Sequence, residues 1–223
     1  MIDAHTHFGI GGSLPGEAFV CSESESDWGR PAPWRFYGVH PWHSEEVTSP
    51  SGLHARLCAV LDANPRAGVG EIGLDRLKSR TITPRQREVF ELQLTVAAAK
   101  GRPVQLHGAK CWGEVVHMAQ RFSGAIPAFL FHGFSRSAGL LGEISAVNGF
   151  ISIGAAVLNS HAVNYHALVK MIPPEAILFE TDGKEGAGLC EIVAETAKIR
   201  GMDAGELEAL ADANARRFTE ALR

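Results

Sequence analysis

Eight short apolar runs, centred on Ile2, Phe19, Phe36, Val69, Val104, Phe129, Ile151 and Ile177, recur along the chain. From Phe36 onward, longer amphipathic segments separate them, the pattern of a parallel sheet with crossover helices. Eight such runs predict a (β/α)8 TIM-type barrel, and 223 residues suit one domain spanning 1–223. A parallel connection that includes its helix needs roughly 10 to 12 residues or more. The stretch between Phe8 and Phe19 reads as too short for a full helix. The first βα unit is therefore expected to be truncated, with Gly9 to Gly16 as a loop.

Helix punctuation fits this rhythm. Helices are expected over Leu53–Asn64, Trp112–Phe122, Ser137–Val147 and around Tyr165–Met171. The longest opens with Thr83 as N-cap and Pro84 at the first helical position, where its missing N–H costs nothing. Phe90, Leu94 and Ala97 give its apolar stripe and Gly101 its stop. Asp203 and Glu206 stand at capping-box spacing in the terminal segment.

In such a barrel, chemistry gathers where the strands end at their carboxyl side. His5 and His7, two residues apart, share one face of the first strand. Glu71 is assigned to the end of strand four, and His107, His132 and Asp182 to the ends of strands five, six and eight. Six N/O donors at one mouth suffice for two divalent metal ions with open positions for water and substrate. One histidine at a strand end is ordinary packing. Four, together with two carboxylates, are hard to explain so, because each unpaired buried group would cost several kcal/mol.

Charge and cysteine usage narrow the classes. A formal charge of −4 argues against a broad basic footprint, so nucleic-acid affinity has to be local. Cys21, Cys58, Cys111 and Cys190 are widely spaced and read as reduced thiols rather than a disulfide framework. Asp3 and His5 stand where a secretory leader would carry positive charge and then an apolar run, and no stretch approaches about 18 apolar residues. A cytoplasmic protein without a membrane partner is expected, as a monomer.

The residues also carry a family resemblance. Asp3-Ala4-His5-Thr6-His7, Gly38-Val39-His40-Pro41-Trp42, Gly70-Glu71-Ile72-Gly73-Leu74-Asp75, Pro103-Val104-Gln105-Leu106-His107, Phe131-His132-Gly133-Phe134 and Glu180-Thr181-Asp182 follow one another as in the TatD family of metal-dependent hydrolases. The Gln86…Gln93-Leu94 helix and Asn214…Arg217-Phe218 resemble it too, and only residues 9–35 fall outside. The resemblance implies a two-metal barrel enzyme that cleaves phosphodiester bonds, a TatD-like deoxyribonuclease with DNA or another phosphodiester as its transient partner. It implies that His5 and His7 hold one ion, His107 and His132 the other, and that Glu71 bridges them. Asp182 would bind the first ion and take the proton of the attacking water. Zn, Mn and Mg all suit these donors.

Two departures concern the substrate. The family usually carries an arginine two residues after the strand-five histidine, where this chain has Ala109, followed by Lys110. Lysine is only a point-charge substitute for a bidentate guanidinium. Gly183-Lys184-Glu185-Gly186 stands where the family often continues with a small residue and proline. His40, Lys110 and Arg76 are the candidate substrate contacts, with Arg76, Lys78 and Arg80 as a small basic group and Trp42 and Phe134 as rings able to stack on a base. Two other functions stay open: an amidohydrolase-type enzyme acting on a small amide, ester or lactone, and a non-catalytic metal-binding barrel.

Overall fold

The computed structural model describes residues 1–8, 17–78, 80–135, 138–183 and 188–222. Each apolar run forms a strand: β1 (Ile2–Thr6), β2 (Glu17–Cys21), β3 (Trp34–Tyr37), β4 (Gly68–Asp75), β5 (Val104–Ala109), β6 (Phe129–Phe131), β7 (Gly149–Ile153) and β8 (Ile177–Phe179). Every strand pairs in parallel with the next, so the sheet runs from β1 to β8 with no neighbour skipped. Its outer strands meet just past β8. The Asp182 N–H donates to the His5 carbonyl at 3.0 Å. Thr181 bonds Asp3 through its N–H at 3.1 Å and its hydroxyl at 2.6 Å. The result is a nearly closed TIM-type barrel.

Among the described residues the helices are α1 (Pro50–Ala63), α2 (Pro84–Lys100), α3 (Trp112–Arg121), α4 (Leu141–Ala146), α5 (Val163–Met171), α6 (Leu189–Arg200) and α7 (Ala204–Phe218). α2 begins and ends as its sequence predicts, with the Thr83 hydroxyl accepting from the Gln86 N–H and Gly101 at φ +60°. α1 starts earlier than Leu53, because Ser49 caps it by accepting from the Gly52 N–H and Pro50 takes its first position. α4 is short and follows a 3-10 turn at Ala138–Leu140, while Ser137 lies outside the described residues. The expected loop Gly9 to Gly16 also lies outside them. The described part of the β2–β3 connection holds only a 3-10 turn, Glu25–Asp27.

β3 stops at Tyr37, so His40 lies beyond the strand. Pro41 has no N–H to give a ladder. His40 instead caps the 3-10 segment Pro41–Glu46, its ring accepting from the Trp42 N–H.

Two apolar layers fix the barrel. Outside, α1 to α6 bury Leu57, Leu94, Val115, Ile144, Leu168 and Ile192 against outward residues such as Val69, Leu106, Phe131 and Ile151. Inside, Phe19, Phe36, Leu130, Phe150 and Leu178 pack with Phe218 from the end of α7. The Phe218 ring stacks on Phe36 with centroids 5.7 Å apart and meets Phe150 edge-on at 5.7 Å. Asn214 donates to the carbonyls of Pro174 and Ile177 at 2.9 Å each, pinning α7 beneath β8. This plug closes the amino end and leaves the carboxyl end to polar residues. No described helix is long and apolar enough to cross a membrane.

Candidate metal centre

Two irregularities in otherwise regular strands shape the mouth. The β1–β2 register shifts between Asp3 and Thr6, around His5, and the β4–β5 register shifts between Val69 and Ile72, around Glu71. Such shifts bend a strand and re-aim a side chain. Glu71 therefore reaches the mouth from the middle of β4, not from its end, which Asp75 occupies. Gly73 has φ +152°, and a side chain there would run into the backbone of His107, so β5 can close up on β4 only across a glycine.

Glu71 is the centre of the cluster and is 1 % exposed. Its Oε2 lies 3.1 Å from His7 Nε2 and 3.5 Å from His5 Nε2. Its Oε1 lies 2.7 Å from His107 Nδ1, 2.9 Å from His132 Nε2 and 3.7 Å from His40 Nε2. Asp182 Oδ1 stands 3.7 Å from His5 Nε2 and 3.8 Å from His7 Nε2. Its residue adopts φ +55°, a left-handed conformation that aspartate tolerates better than most side chains. Among the described residues, three overlapping sets have candidate ligand atoms within 4.8 Å of one another: His5, His7 and Glu71; His5, His132 and Asp182; and His40, Glu71 and His107.

The far sides of the imidazoles are held by acceptors. His5 Nδ1 lies 2.6 Å from Gln105 Oε1, an oxygen that only accepts, so Nδ1 carries the proton and Nε2 keeps its lone pair. His132 Nδ1 lies 3.3 Å from Glu180 Oε2, which also accepts from Ser152 Oγ. His107 Nε2 lies 3.1 Å from Asp75 Oδ2, which accepts from the Trp42 indole N–H at 2.7 Å. Gln105, Glu180 and Asp75 are each at most 3 % exposed. Partners of this kind orient metal-binding imidazoles and raise their basicity. Hard and borderline donors, each with its near atom aimed at one carboxylate, fit divalent cations.

Electrostatics of the bare side chains point the same way. Burial drives the Glu71 carboxyl up, but His132, His40, His107 and His5 together hold it well below its usual range. Burial drives His132 down, yet Glu71 and Glu180 lift it well above that of a free imidazole. His7 and His107 are raised against their own burial, chiefly by Glu71. His40 behaves oppositely: burial pushes it down to about 3 despite Glu71, with His107 and His7 adding to the fall. It is a neutral imidazole in the wall of the centre.

The expected donors His5, His7, Glu71, His107, His132 and Asp182 are thus brought together, and His40 joins them. A cavity of about 740 Å³ opens over them, bounded by His107, Lys110, His132, Tyr165, Glu180 and Asp182 among others. Lys110 is exposed at its edge with φ +58°, whereas Arg76 is not among the residues that line it. Asp3, Asp75, Gln105 and Glu180 escape the sequence reading. The signal was available for three: Asp3, Gln105 and Glu180 each sit two residues before an expected donor, on the same face of the chain where it is extended.

Comparison with known proteins places this geometry. The family model described as "TatD related DNase" matches residues 30–220. The "3'-5' ssDNA/RNA exonuclease TatD" of Erwinia tasmaniensis is 28 % identical over 202 residues, 83 % of this chain and 77 % of that protein. The protein of the same description from Musicola paradisiaca is 28 % identical over 203 residues, with 83 % and 76 % covered. Among solved structures, YjjV, a TatD homologue from Escherichia coli K12, superposes with a TM-score of 0.81 over 97 % of this chain and 96 % of its own at 21 % identity. A TatD family hydrolase from Entamoeba histolytica gives 0.77 at 14 % identity, covering 97 % of both chains. The fold is shared with these structures, and by the extent of the family match the chain belongs to the TatD-related DNase family.

Proposed function

We propose that this protein is a metal-dependent nuclease that hydrolyses phosphodiester bonds of single-stranded nucleic acid, using two divalent cations bridged by Glu71. The observation that carries the reading is the division of that carboxylate, Oε2 facing His5 and His7 and Oε1 facing His107 and His132. Membership of the family and the exonuclease relatives support the substrate class. On this reading His5, His7 and Asp182 would hold one ion and His107 and His132 the other, with His40 beside the second set. Bound cations of this kind acidify water and neutralise charge on phosphoryl oxygens.

The remaining work falls to the chain. Asp182 sits where a carboxylate can take the proton of the attacking water, beside His5 and at the cavity edge. Gln105, Glu180 and Asp75 keep the imidazole lone pairs aimed inward. Lys110 supplies positive charge at the rim. A panel of a single-stranded DNA oligonucleotide, bis-p-nitrophenyl phosphate and small amides and lactones, each with Mn, Mg or Zn, tests the reading. Cleavage of the phosphodiesters should vanish with chelator and with His132→Ala. Turnover confined to carbonyl substrates would overturn it in favour of an amidohydrolase.

A further inference from the structure

Two aromatic residues stand near the centre in sequence, and the fold separates them. Phe134 is fully buried, its ring 5.2 Å from that of Trp112. Trp42 keeps 46 % of its surface open, an exposure no other aromatic residue matches among the large apolar side chains described as exposed. Single exposed apolar residues are ordinary on a protein surface; what sets this one apart is its place beside the polar centre and the way it is held.

This ring is also held still. Its N–H donates to Asp75 Oδ2, the atom that holds His107 Nε2. Asp75 Oδ1 accepts from the backbone N–H groups of Leu77 at 2.6 Å and Lys78 at 2.9 Å. One buried carboxylate therefore ties together an imidazole of the centre, the open indole and the loop beside it. Lys78 Nζ lies 4.8 Å from the Trp42 ring centroid, and the exposed Leu77 lines the cavity over the centre. The indole stands edge-on to His40 at 4.7 Å and to His107 at 6.4 Å between centroids. The open indole thus stands next to two imidazoles of the centre, within reach of a base whose phosphate lies among them.

We propose that Trp42 is a stacking platform for the nucleobase attached to the phosphodiester under attack, fixed at the rim by Asp75. The inference rests on the nuclease reading and adds a determinant that none of the donors supplies. A π-face accepts every base, so the platform favours nucleic acid over simple phosphodiesters without choosing a sequence. Lys78 alongside offers a cation to the next phosphate.

The test compares a thymidine oligonucleotide with an abasic deoxyribose-phosphate oligomer of the same length, in wild type, Trp42→Phe and Trp42→Leu. Wild type should show a KM about tenfold lower for the thymidine oligomer, the worth of one stacked base. Trp42→Phe should keep most of that ratio and Trp42→Leu should bring it near one. In chelator, thymidine oligomer should quench tryptophan fluorescence of wild type and not of Trp42→Phe, although Trp28, Trp34 and Trp112 remain. A wild type that cleaves both oligomers with equal KM overturns the platform alone. A ratio unchanged in Trp42→Leu, or both KM values rising together there, overturns it as well, the second by showing that the ring acts only through Asp75 and His107. A wild type inert on both oligomers with every metal overturns the nuclease reading, and the platform falls with it.

Discussion

Gln105 Oε1 and His5 Nδ1 are 2.6 Å apart inside the barrel, and the contact decides which nitrogen of His5 faces Glu71. Because the amide oxygen can only accept, the outward Nε2 is left with its lone pair. Gln105→Met preserves volume and loses the acceptor. The variant should fold and bind divalent cation about 10- to 100-fold more weakly, read by calorimetric titration with Mn or Zn. Unchanged affinity would show that His5 needs no such partner.

Asp182 offers a clean separation of chemistry from structure. Its φ of +55° is one that asparagine also accepts, and its N–H rather than its carboxylate closes the barrel onto His5. Asp182→Asn should lower kcat by about 10²- to 10⁴-fold on a phosphodiester while the thermal midpoint stays within a few degrees. Full metal-dependent turnover in this variant would remove Asp182 from the proton path.

The pH dependence of stability in chelator follows from three imidazoles and one acid. His7, His107 and His132 have folded pKa values raised by Glu71 against burial, so their contribution is whole below the ordinary imidazole range and is lost as pH rises through the folded values. Burial lifts Asp3 to about 6 against the hydrogen bonds of Thr181 and His5, and its contribution likewise falls as pH climbs toward that value. Glu71 and His40 have the opposite sign: Glu71 remains ionised throughout this range, whereas His40, held neutral down to about 3, adds stability as pH rises through the ordinary imidazole range. With three raised imidazoles against the one lowered, the thermal midpoint in chelator should fall between about pH 5.5 and pH 8. Added cation should stabilise more at the higher pH, where it no longer competes with protons. A midpoint rising with pH in chelator would contradict the assignment.

The plug at the amino end should dominate stability without touching the chemistry. Phe218 is 1 % exposed among Phe19, Phe36 and Phe150, so Phe218→Ala should cost about 3–5 kcal/mol in denaturant unfolding. A loss below about 1 kcal/mol would mean that the barrel base collapses around the gap.

The barrel is legible in the sequence because its parallel strands are buried on both faces and read as unbroken apolar runs, such as Ala128-Phe129-Leu130-Phe131. His5, His107, His132 and Asp182 stand out because each interrupts such a run. Glu71 is found but misassigned to a strand end, since a register shift leaves no mark in composition. Gln105 and Glu180 are missed for a related reason. A single polar residue inside a strand, as Gln105 is, or just past one, as Glu180 is, looks like an isolated exception until another strand supplies the atom it bonds. Asp75 depends on Trp42 and His107, 33 and 32 residues away, and no local pattern announces that meeting.

The seam between β8 and β1 joins Thr181 to Asp3 and Asp182 to His5 across nearly the full length of the chain. During synthesis His5 and His7 are made well before Asp182, the carboxylate that completes their side of the mouth. A growing polypeptide therefore carries these two imidazoles without their carboxylate partner until β8 has been made. The donors on this side of the mouth stand together only when the ring shuts, so β1 gains its full chemical meaning from the last strand of the sheet.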